Sequence, residues 1–187
     1  MNILLIGKPG SGKSSLTSLL VSNKDINHRV IVAGDLLRAE RTSGSELGKE
    51  IQSTIDRGAL VPDAMINDII EQELSKPIGV GQYYLLDGYP RTVNQAKTLD
   101  MMLNISTVIY LDVDDATILK RIKERGKASD RADDQDEETT KNRLKAYYED
   151  TAPVIDYYER LGVLYRIDAS KSAEDVYVEI KKILDGQ

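Results

Sequence analysis

The stretch Asn2–Ser15, which reads NILLIGKPGSGKSS, constrains the fold more than any other part of the chain. An apolar run leads into a glycine-rich turn, and Lys13 and Ser14 complete the pattern G-x-x-x-x-G-K-[ST]. Glycines allow backbone N–H groups to converge on phosphate oxygens, and the helix that follows adds the positive end of its dipole. The alternative is an ordinary glycine-rich turn between a strand and a helix. Because the motif is complete and both flanks are correct, the sequence favours a nucleoside triphosphate site.

The residues of this loop have separate expected roles. Lys13 is expected to reach the terminal phosphates, and Ser14 is expected to lie near a bound metal ion. Further contacts to the triphosphate are expected from Gly10, Ser11, Gly12 and Ser15. A switch GTPase would also need an N-K-x-D segment and a D-x-x-G segment. The nearest match to the first, Asn23–Ile26, lacks the final aspartate, and no D-x-x-G occurs, so the GTPase hypothesis is disfavoured.

The apolar runs predict the fold class. Strands are expected at Asn2–Ile6, Arg29–Val32, Tyr83–Leu86, Thr107–Leu111 and Leu164–Ile167. Segments with helical spacing lie between them, and this alternation predicts an α/β fold with a parallel sheet and helices on both faces. Two segments fit the rhythm poorly: residues 34–62 are helical throughout, and residues 126–136 are polar and resemble a loop.

Composition limits the partners and the compartment. The 187 residues suit one compact domain, and the net charge of −6 argues against a general nucleic-acid binder. The apolar runs are far shorter than the roughly 20 residues of a membrane-spanning helix, so no membrane partner is expected. There is no cysteine, which excludes a thiolate zinc site, and no basic leader, so a cytoplasmic location is expected. No long exposed apolar stripe is evident in the sequence, so a monomer is expected. The single histidine, His28, is expected to be a surface residue rather than a ligand or a base.

A second site is indicated where the third predicted strand ends, in LLDGYPRTVNQ, Leu85–Gln95. Asp87 is placed to hold Mg²⁺ directly or through water, and Gly88 permits a ligand to approach the backbone closely. Arg91 and Gln95 are one helical turn apart on one face. An arginine forks onto a phosphate and a glutamine amide can pair with a base edge, so the pair suggests a second nucleotide. The alternative is a solvated helix surface.

At this point the sequence resembles the adenylate kinase family and, more broadly, the nucleoside monophosphate kinases. The resembling segments cover nearly the whole chain in the order of the family: GKPGSGKSS, GDLLRAERTSGSELGKEIQSTIDRGALVPD, LLDGYPRTVNQA and RADDQDEETTKNRLKAYYEDTAPVIDYYE. The resemblance implies a P-loop three-layer fold with a central five-stranded parallel sheet. The core would comprise residues 1–33, 63–125 and 137–187, with a helical monophosphate-binding insertion at 34–62 and a short lid without zinc at 126–136.

The resemblance also implies the residues of the site. AMP would be bound by Ala33, Gly34, Arg38, Leu60, Val61, Gly88, Arg91, Gln95, Arg131 and Arg143, supported by Asp35. ATP would be bound by the loop residues given above, by Arg125, and by Arg121, which would also pack on the base. The catalytic set would be Lys13, Arg91, Arg125, Arg131 and Arg143. Asp133 and Asp134 resemble an acidic pair at the lid hinge, and the Tyr89–Pro90 bond is expected to be cis.

The implied activity is reversible transfer of the γ-phosphoryl group of ATP to AMP, giving two ADP, with Mg²⁺ on the donor phosphates. The acceptor is an ionised phosphate oxygen, so arginine charge and positioning are needed rather than a general base. Two features depart from the family without changing this expectation. GKSS stands where the family usually has Gly-Thr after the lysine, and one extra residue lies between Asp134 and Glu137, where it would shift the geometry of the lid hinge.

Two alternatives remain beside this activity. Ala33 stands where adenylate kinases usually have threonine, which supports a UMP/CMP kinase, but those enzymes resemble one another in an asparagine-rich PRNxDN pattern. This chain has PRTVNQ, and Gln95 can pair with adenine, so AMP is favoured. A regulatory module that senses nucleotides without turnover would be expected to lose Lys13, Asp87 or the arginines, and all are present.

Overall fold

The structure is a computed structural model that describes residues 1–23, 26–57, 59–128 and 137–186, with the side chains of residues 125–128 and 137 left out of the description. The predictions for Arg131, Asp133 and Asp134 therefore lie outside the described residues, and so does the side chain of Arg125.

A parallel sheet forms the centre of the molecule. Its five described strands are β1 (Asn2–Gly7), β2 (His28–Val32), β3 (Tyr83–Asp87), β4 (Ile105–Asp112) and β5 (Leu164–Asp168). They lie in the order β2-β3-β1-β4-β5, and every neighbouring pair is parallel. The order places β1, and therefore the loop that follows it, at the centre of the sheet. The predicted α/β fold and all five predicted strands are confirmed.

Helices cover both faces of this sheet. They are α1 (Lys13–Ser22), α2 (Ala33–Thr42), α3 (Glu46–Asp56), α4 (Asp63–Leu74), α5 (Val93–Met102), α6 (Asp115–Ala128), α7 (Glu137–Ala146), α8 (Ala152–Arg160) and α9 (Ala173–Asp185). A π-helical turn, Tyr147–Thr151, joins α7 to α8. No helix in the described part of the chain combines the length and the apolar character that a membrane span requires.

The alternation of side chains along β1 divides the core in two. Leu4 and Ile6 belong to a buried cluster that also takes residues from α2, α3, α4, α5 and α8. Ile3 and Leu5 belong to a second cluster that takes residues from α1, α6 and α9. Successive strand residues point to opposite faces, so one apolar run supplies both cores. The sheet is therefore the middle of three layers.

Both segments that interrupt the strand–helix rhythm contain helix in their described parts. Residues 34–62 contain most of α2 and all of α3, which begins after the capping residue Ser45. Helix α6 continues through Ala128, three residues into the segment predicted to be a polar loop. The Tyr89–Pro90 bond is cis, as expected. His28 lies half-buried at the start of β2, with Nε2 2.7 Å from the Met1 carbonyl oxygen, rather than on the surface.

Candidate nucleotide-binding site

A cleft of about 760 Å³ opens where the strands reach their carboxyl ends. Residues at or just after the ends of all five strands line it, among them Gly7, Val32, Asp87, Leu111 and Ala169. The carboxyl edge of a parallel sheet is the usual place for a ligand in an open α/β fold. The cleft also brings together most of the predicted site residues, namely Gly10, Ser11, Gly12, Lys13, Ser14, Ser15, Gly34, Arg38, Leu60, Asp87, Gly88, Arg91, Arg121 and Arg143.

The loop after β1 forms one wall, which we call the donor half and define as Gly7–Ser15 with Arg121. Gly10 and Gly12 adopt left-handed backbone conformations, with φ of 82° and 103°. A Cβ on Gly10 would lie 2.9 Å from Cγ1 of Ile122, so both conformation and space require glycine there. Helix α1 begins at Lys13 with no side-chain cap, and its positive dipole end faces the cleft.

The lysine of the loop lies over the backbone of the same loop. Lys13 Nζ donates hydrogen bonds to the carbonyl oxygens of Gly7, at 2.8 Å, and Lys8, at 2.9 Å. Arg121, on α6, places one guanidinium nitrogen 3.5 Å from the Ser11 carbonyl oxygen and the other 3.4 Å from the Lys171 carbonyl oxygen. In the donor half, Lys13 therefore places one cation over the loop, and Arg121 places another between the loop and the segment after β5.

Lys8 makes contacts that the sequence did not predict. Lys8 is only 8% exposed, and its Nζ donates to the Val113 carbonyl oxygen at 3.0 Å and to Asp115 Oδ1 at 2.6 Å. The Tyr148 hydroxyl donates to the same carboxylate oxygen at 2.7 Å, and the ammonium lies 5.1 Å from the centre of the Tyr148 ring. We call Lys8, Asp115 and Tyr148 the Lys8 junction. It joins the loop to the first residue of α6 and to the π-helical turn.

Within the Lys8 junction, Lys8 and Asp115 each stabilise the charged form of the other. Burial alone would lower the pKa of Lys8, but its interactions with Asp115 and Tyr148 together outweigh burial and raise the pKa of the ammonium. The hydrogen bond from Lys8, followed by that from Tyr148, lowers the pKa of Asp115. Both groups are therefore charged at neutral pH, and the ion pair is retained. A lysine at a variable position of the motif gave no signal in the sequence, because its partner is 107 residues away.

The opposite wall, which we call the acceptor half, consists of Gly34 and Arg38 on α2 with Gly88 and Arg91 after β3. Arg91 is exposed to the cleft, and its Nε donates to the Gly88 carbonyl oxygen at 2.8 Å. The walls of the cleft desolvate the guanidinium and lower its pKa, nearby Arg143 lowers the pKa further, and Asp87 raises it. Arginine remains protonated under these conditions. Arg91 and Arg143 therefore place two mutually repelling positive charges beside one carboxylate.

Arg38 and a second arginine extend this positive surface along α2. Arg38 forms an ion pair with Asp35, and a Cβ on Gly34 would lie 3.2 Å from the Arg38 guanidinium. Glycine at position 34 therefore leaves room for that side chain. Arg41, one turn further along α2, also lines the cleft. The sequence analysis did not single out Arg41, although its three-residue spacing from Arg38 on a predicted helix was a usable signal.

Three residues predicted for the AMP site lie behind the wall of the cleft. Gln95 and Ala33 are each 2% exposed, Val61 is also buried, and none of them lines the cavity. The Gln95 amide is engaged by the protein: Oε1 accepts from the backbone N–H of Arg91 at 2.7 Å, and Nε2 donates to Asp63 Oδ1 at 2.7 Å. In this structure the amide joins Arg91 to α4.

Comparison with known proteins identifies the family. The family model described as adenylate kinase matches residues 5–163. The chain is 39% identical over 188 residues to an adenylate kinase of Synechococcus sp. (strain CC9902), with 98% of each chain covered. The chain belongs to the adenylate kinase family. It is also 39% identical to an adenylate kinase of Thermobifida fusca (strain YX), with 94% of each chain covered. Against adenylate kinase isoenzyme 1 of Cyprinus carpio, identity is 37%, with 98% of this chain and 93% of that protein covered.

A metal ion bound in this cleft would need some of its ligands from a bound nucleotide. Asp87 is 4% exposed and lines the cleft together with the hydroxyl-bearing Ser14. Within the described ranges, no group of three or more histidine, cysteine, aspartate or glutamate side chains could enclose an ion. A single carboxylate and a hydroxyl fit Mg²⁺, which keeps several waters and takes its other ligands from phosphate oxygens. The donor set therefore fits Mg²⁺ brought in with a nucleotide.

Proposed function

We propose that the chain catalyses reversible, Mg²⁺-dependent transfer of the γ-phosphoryl group of ATP to AMP, giving two ADP. The observation that carries this proposal is the shared cleft, in which the phosphate-binding loop and the arginines of the acceptor half line one cavity of about 760 Å³. Two nucleotides bound there would have their phosphates between the two walls. The relatives reported above are named adenylate kinases, and none of them favours the UMP/CMP alternative.

In the donor half, ATP binding is assigned to the loop. Backbone N–H groups at Gly10, Ser11, Gly12, Ser14 and Ser15, together with the dipole of α1, would hold the phosphates. Lys13 would add its charge at the terminal phosphates, which requires Nζ to exchange the carbonyl oxygens it now contacts for phosphate oxygens. Arg121 is assigned to the base of ATP, since it lies between the loop and the segment after β5.

In the acceptor half, AMP binding is assigned to the arginines and to the residues around them. Arg38 and Arg91 would hold the phosphate by forked hydrogen bonds, and Gly88 lets the nucleotide approach the backbone. The base pocket is assigned to Ala33, Gly34, Leu60, Val61 and Gln95. Because Gln95 is buried, contact between its amide and the base requires the neighbouring residues that cover it to move.

The chemistry needs positioning and charge rather than a base. The acceptor is a phosphate oxygen that is already ionised, so the transfer is an in-line displacement between aligned groups. Arg91 and Arg143 repel one another, and a transferring phosphoryl group between them would relieve that repulsion. Asp87 and Ser14 would hold Mg²⁺, directly or through water, and the ion would neutralise charge on the donor phosphates. Because bulk water would compete with AMP as acceptor, water must be excluded.

We assign the exclusion of water to two segments that would close over a core of residues 1–33, 63–125 and 137–187. The first is the insertion 34–62, which contributes Gly34, Arg38 and Arg41 to the cleft. The second is the segment 126–136, most of which lies outside the described residues, with Arg131 in it and Arg125 just before it. The chain would act as a cytoplasmic monomer, without nucleic-acid or membrane partners.

The test is ADP formation from Mg·ATP with AMP, UMP, CMP and GMP offered separately, beside a control without an acceptor. We expect strong turnover with AMP and very little in the control. Preference for UMP or CMP would contradict the proposed acceptor while leaving the chemistry intact. Rapid ATP loss without an acceptor would contradict the exclusion of water. Bound ATP with no ADP formed from any monophosphate would indicate a regulatory module instead.

A further inference from the structure

We propose that Asp63, Gln95 and Thr151 act together as positioning residues that hold Arg91 in place for the reaction. We call these three residues the Arg91 clamp. Asp63 and Thr151 have no role in the site described so far, and Gln95 is assigned there to the base. The inference rests on the proposed contact between Arg91 and the acceptor phosphate, and it explains how an arginine in an open cleft keeps a fixed position.

The first part of the clamp holds the backbone N–H of Arg91. This N–H donates to Gln95 Oε1 at 2.7 Å, and Gln95 Nε2 donates to Asp63 Oδ1 at 2.7 Å. A backbone N–H only donates and an ionised carboxylate only accepts, so the amide oxygen must face Arg91 and the amide nitrogen must face Asp63. A flipped amide would set nitrogen against N–H and oxygen against carboxylate. The two partners therefore fix the orientation of the amide.

The second oxygen of Asp63 ties the same network to the start of α5. Asp63 Oδ2 accepts from the Thr92 hydroxyl at 2.9 Å, and that hydroxyl accepts from the backbone N–H of Gln95 at 3.1 Å as the cap of α5. Asp63 is also the first residue of α4, where the helix dipole favours a negative charge. One carboxylate thus joins the N-termini of two helices and keeps Gln95 from moving relative to either.

The third part of the clamp holds the backbone carbonyl of the same residue, Arg91. The Thr151 hydroxyl donates to the Arg91 carbonyl oxygen at 2.9 Å, and Thr151 is only 6% exposed. Thr151 ends the π-helical turn that follows α7, the helix that carries Arg143. This hydrogen bond therefore sets the position of Arg91 relative to the segment that carries Arg143.

Mutual repulsion between Arg91 and Arg143 supplies the physical reason for such a clamp. Both guanidinium groups line the cleft, where like charges repel, and the nearby Arg143 lowers the pKa of Arg91. With the backbone N–H, the backbone carbonyl and the side-chain Nε of Arg91 all hydrogen-bonded, the residue cannot drift away from its neighbour. Small displacements of a positioning group are costly in rate, because the reacting groups must already be aligned.

The test is a double-mutant cycle between Thr151→Val and Arg91→Ala. Thr151→Val keeps the volume of the side chain and removes one hydrogen bond. We expect kcat/KM for AMP to fall about tenfold, equivalent to about 1.4 kcal/mol, with the KM for ATP changed less than about twofold. In the Arg91→Ala background the same substitution should have almost no further effect on kcat/KM, since the guanidinium that the clamp positions is gone. Asp63→Asn, which retains only one acceptor oxygen, should behave in the same way.

The matched control is Thr98→Val on α5. Its hydroxyl donates to the Asn94 carbonyl oxygen within the helix and lies outside the clamp, so kcat/KM should be unchanged. Equal losses from Thr151→Val in both backgrounds, or a parallel rise in the KM for ATP, would indicate a merely structural role and overturn the proposal. Normal AMP kinetics in the Arg91→Ala enzyme would instead refute the proposed contact between Arg91 and the acceptor phosphate, on which the clamp rests. The two failures are therefore distinguishable.

Discussion

The two halves of the cleft hold phosphate with different parts of the chain. The donor half is built mainly from nine consecutive residues, Gly7–Ser15, and relies on backbone N–H groups, two left-handed glycines and one lysine. The acceptor half takes its cations from α2 and from the turn after β3, and Arg143 on α7 faces them. A contiguous backbone site is fixed by its own sequence, whereas a dispersed side-chain site depends on contacts that reach far along the chain. The second should therefore be sensitive to substitutions outside the cleft.

The largest effect is expected in the donor half, from Lys13→Met. Methionine keeps much of the apolar stem and removes the ammonium, so the charge at the terminal phosphates is lost. We expect kcat to fall by a factor on the order of 10³, as when a preorganised donor to a transition state is deleted. The measurement is steady-state turnover at saturating ATP and AMP. Lys97→Met, at an exposed position on α5, is the control, and an active Lys13→Met enzyme would refute the assignment.

Arg91→Ala should impair the use of AMP without impairing the binding of ATP. It removes the guanidinium from the acceptor half and leaves the loop intact, so kcat/KM for AMP should fall about 100-fold while the KM for ATP changes less than about threefold. Initial rates with each substrate varied in turn give both values. Arg160→Ala, at an exposed position on α8, should behave as the parent enzyme. Equal losses for both substrates would show that the halves are not separable in this way.

Lys8→Met tests whether ATP binding by the donor half depends only on the loop or also on the contact of the loop with α6. The substitution removes the ammonium that joins the loop to Asp115 and α6, and we expect the KM for ATP to rise about tenfold with that for AMP little changed. Tyr148→Phe, which removes one hydrogen bond from the same carboxylate, should have a smaller effect in the same direction. If neither substitution changes the KM for ATP, the loop binds ATP without the Lys8 junction. Only the acceptor half would then depend on contacts between distant parts of the chain.

The Lys8 junction also predicts a pH dependence of stability. Its hydrogen bond lowers the pKa of Asp115, so the ion pair stabilises the fold above the ordinary aspartate value of about 3.9. This contribution is lost as the pH falls through the lower pKa of the folded state. The difference in Tm between the parent and Lys8→Met should therefore be largest near neutral pH and shrink below about pH 4. A difference that is constant from pH 7 to pH 3 would contradict the assignment.

The smallest effect on activity is expected from Ala33→Thr. Ala33 is buried behind the cleft wall, and its Cβ lies 3.8 Å from where a Cβ on Gly88 would be. Two extra heavy atoms there should lower the free energy of unfolding by about 1–3 kcal/mol through overpacking. The ratio of kcat/KM for AMP to that for CMP should change less than about threefold. A large shift in that ratio would show that residue 33, rather than Gln95, sets the choice of base.

What the sequence alone determined was the part of the molecule that depends on local pattern. The five strands follow from apolar runs that are buried on both faces of a parallel sheet, and the phosphate loop follows from the spacing of glycines and lysine. The family resemblance added the cis Tyr89–Pro90 bond, which the structure contains. Each of these features is carried by neighbouring residues.

What only the tertiary structure decided was which polar groups meet. Nothing in the sequence indicated that the amide of Gln95 lies between Asp63 and Arg91. Nor did it indicate the hydrogen bond from Thr151 to Arg91, which spans 60 residues. Lys8 finds Asp115 across 107 residues. The physical reason is that a buried donor or acceptor must be satisfied by whatever partner the fold brings to it. The spacing of residues along the chain does not predict which partner that will be.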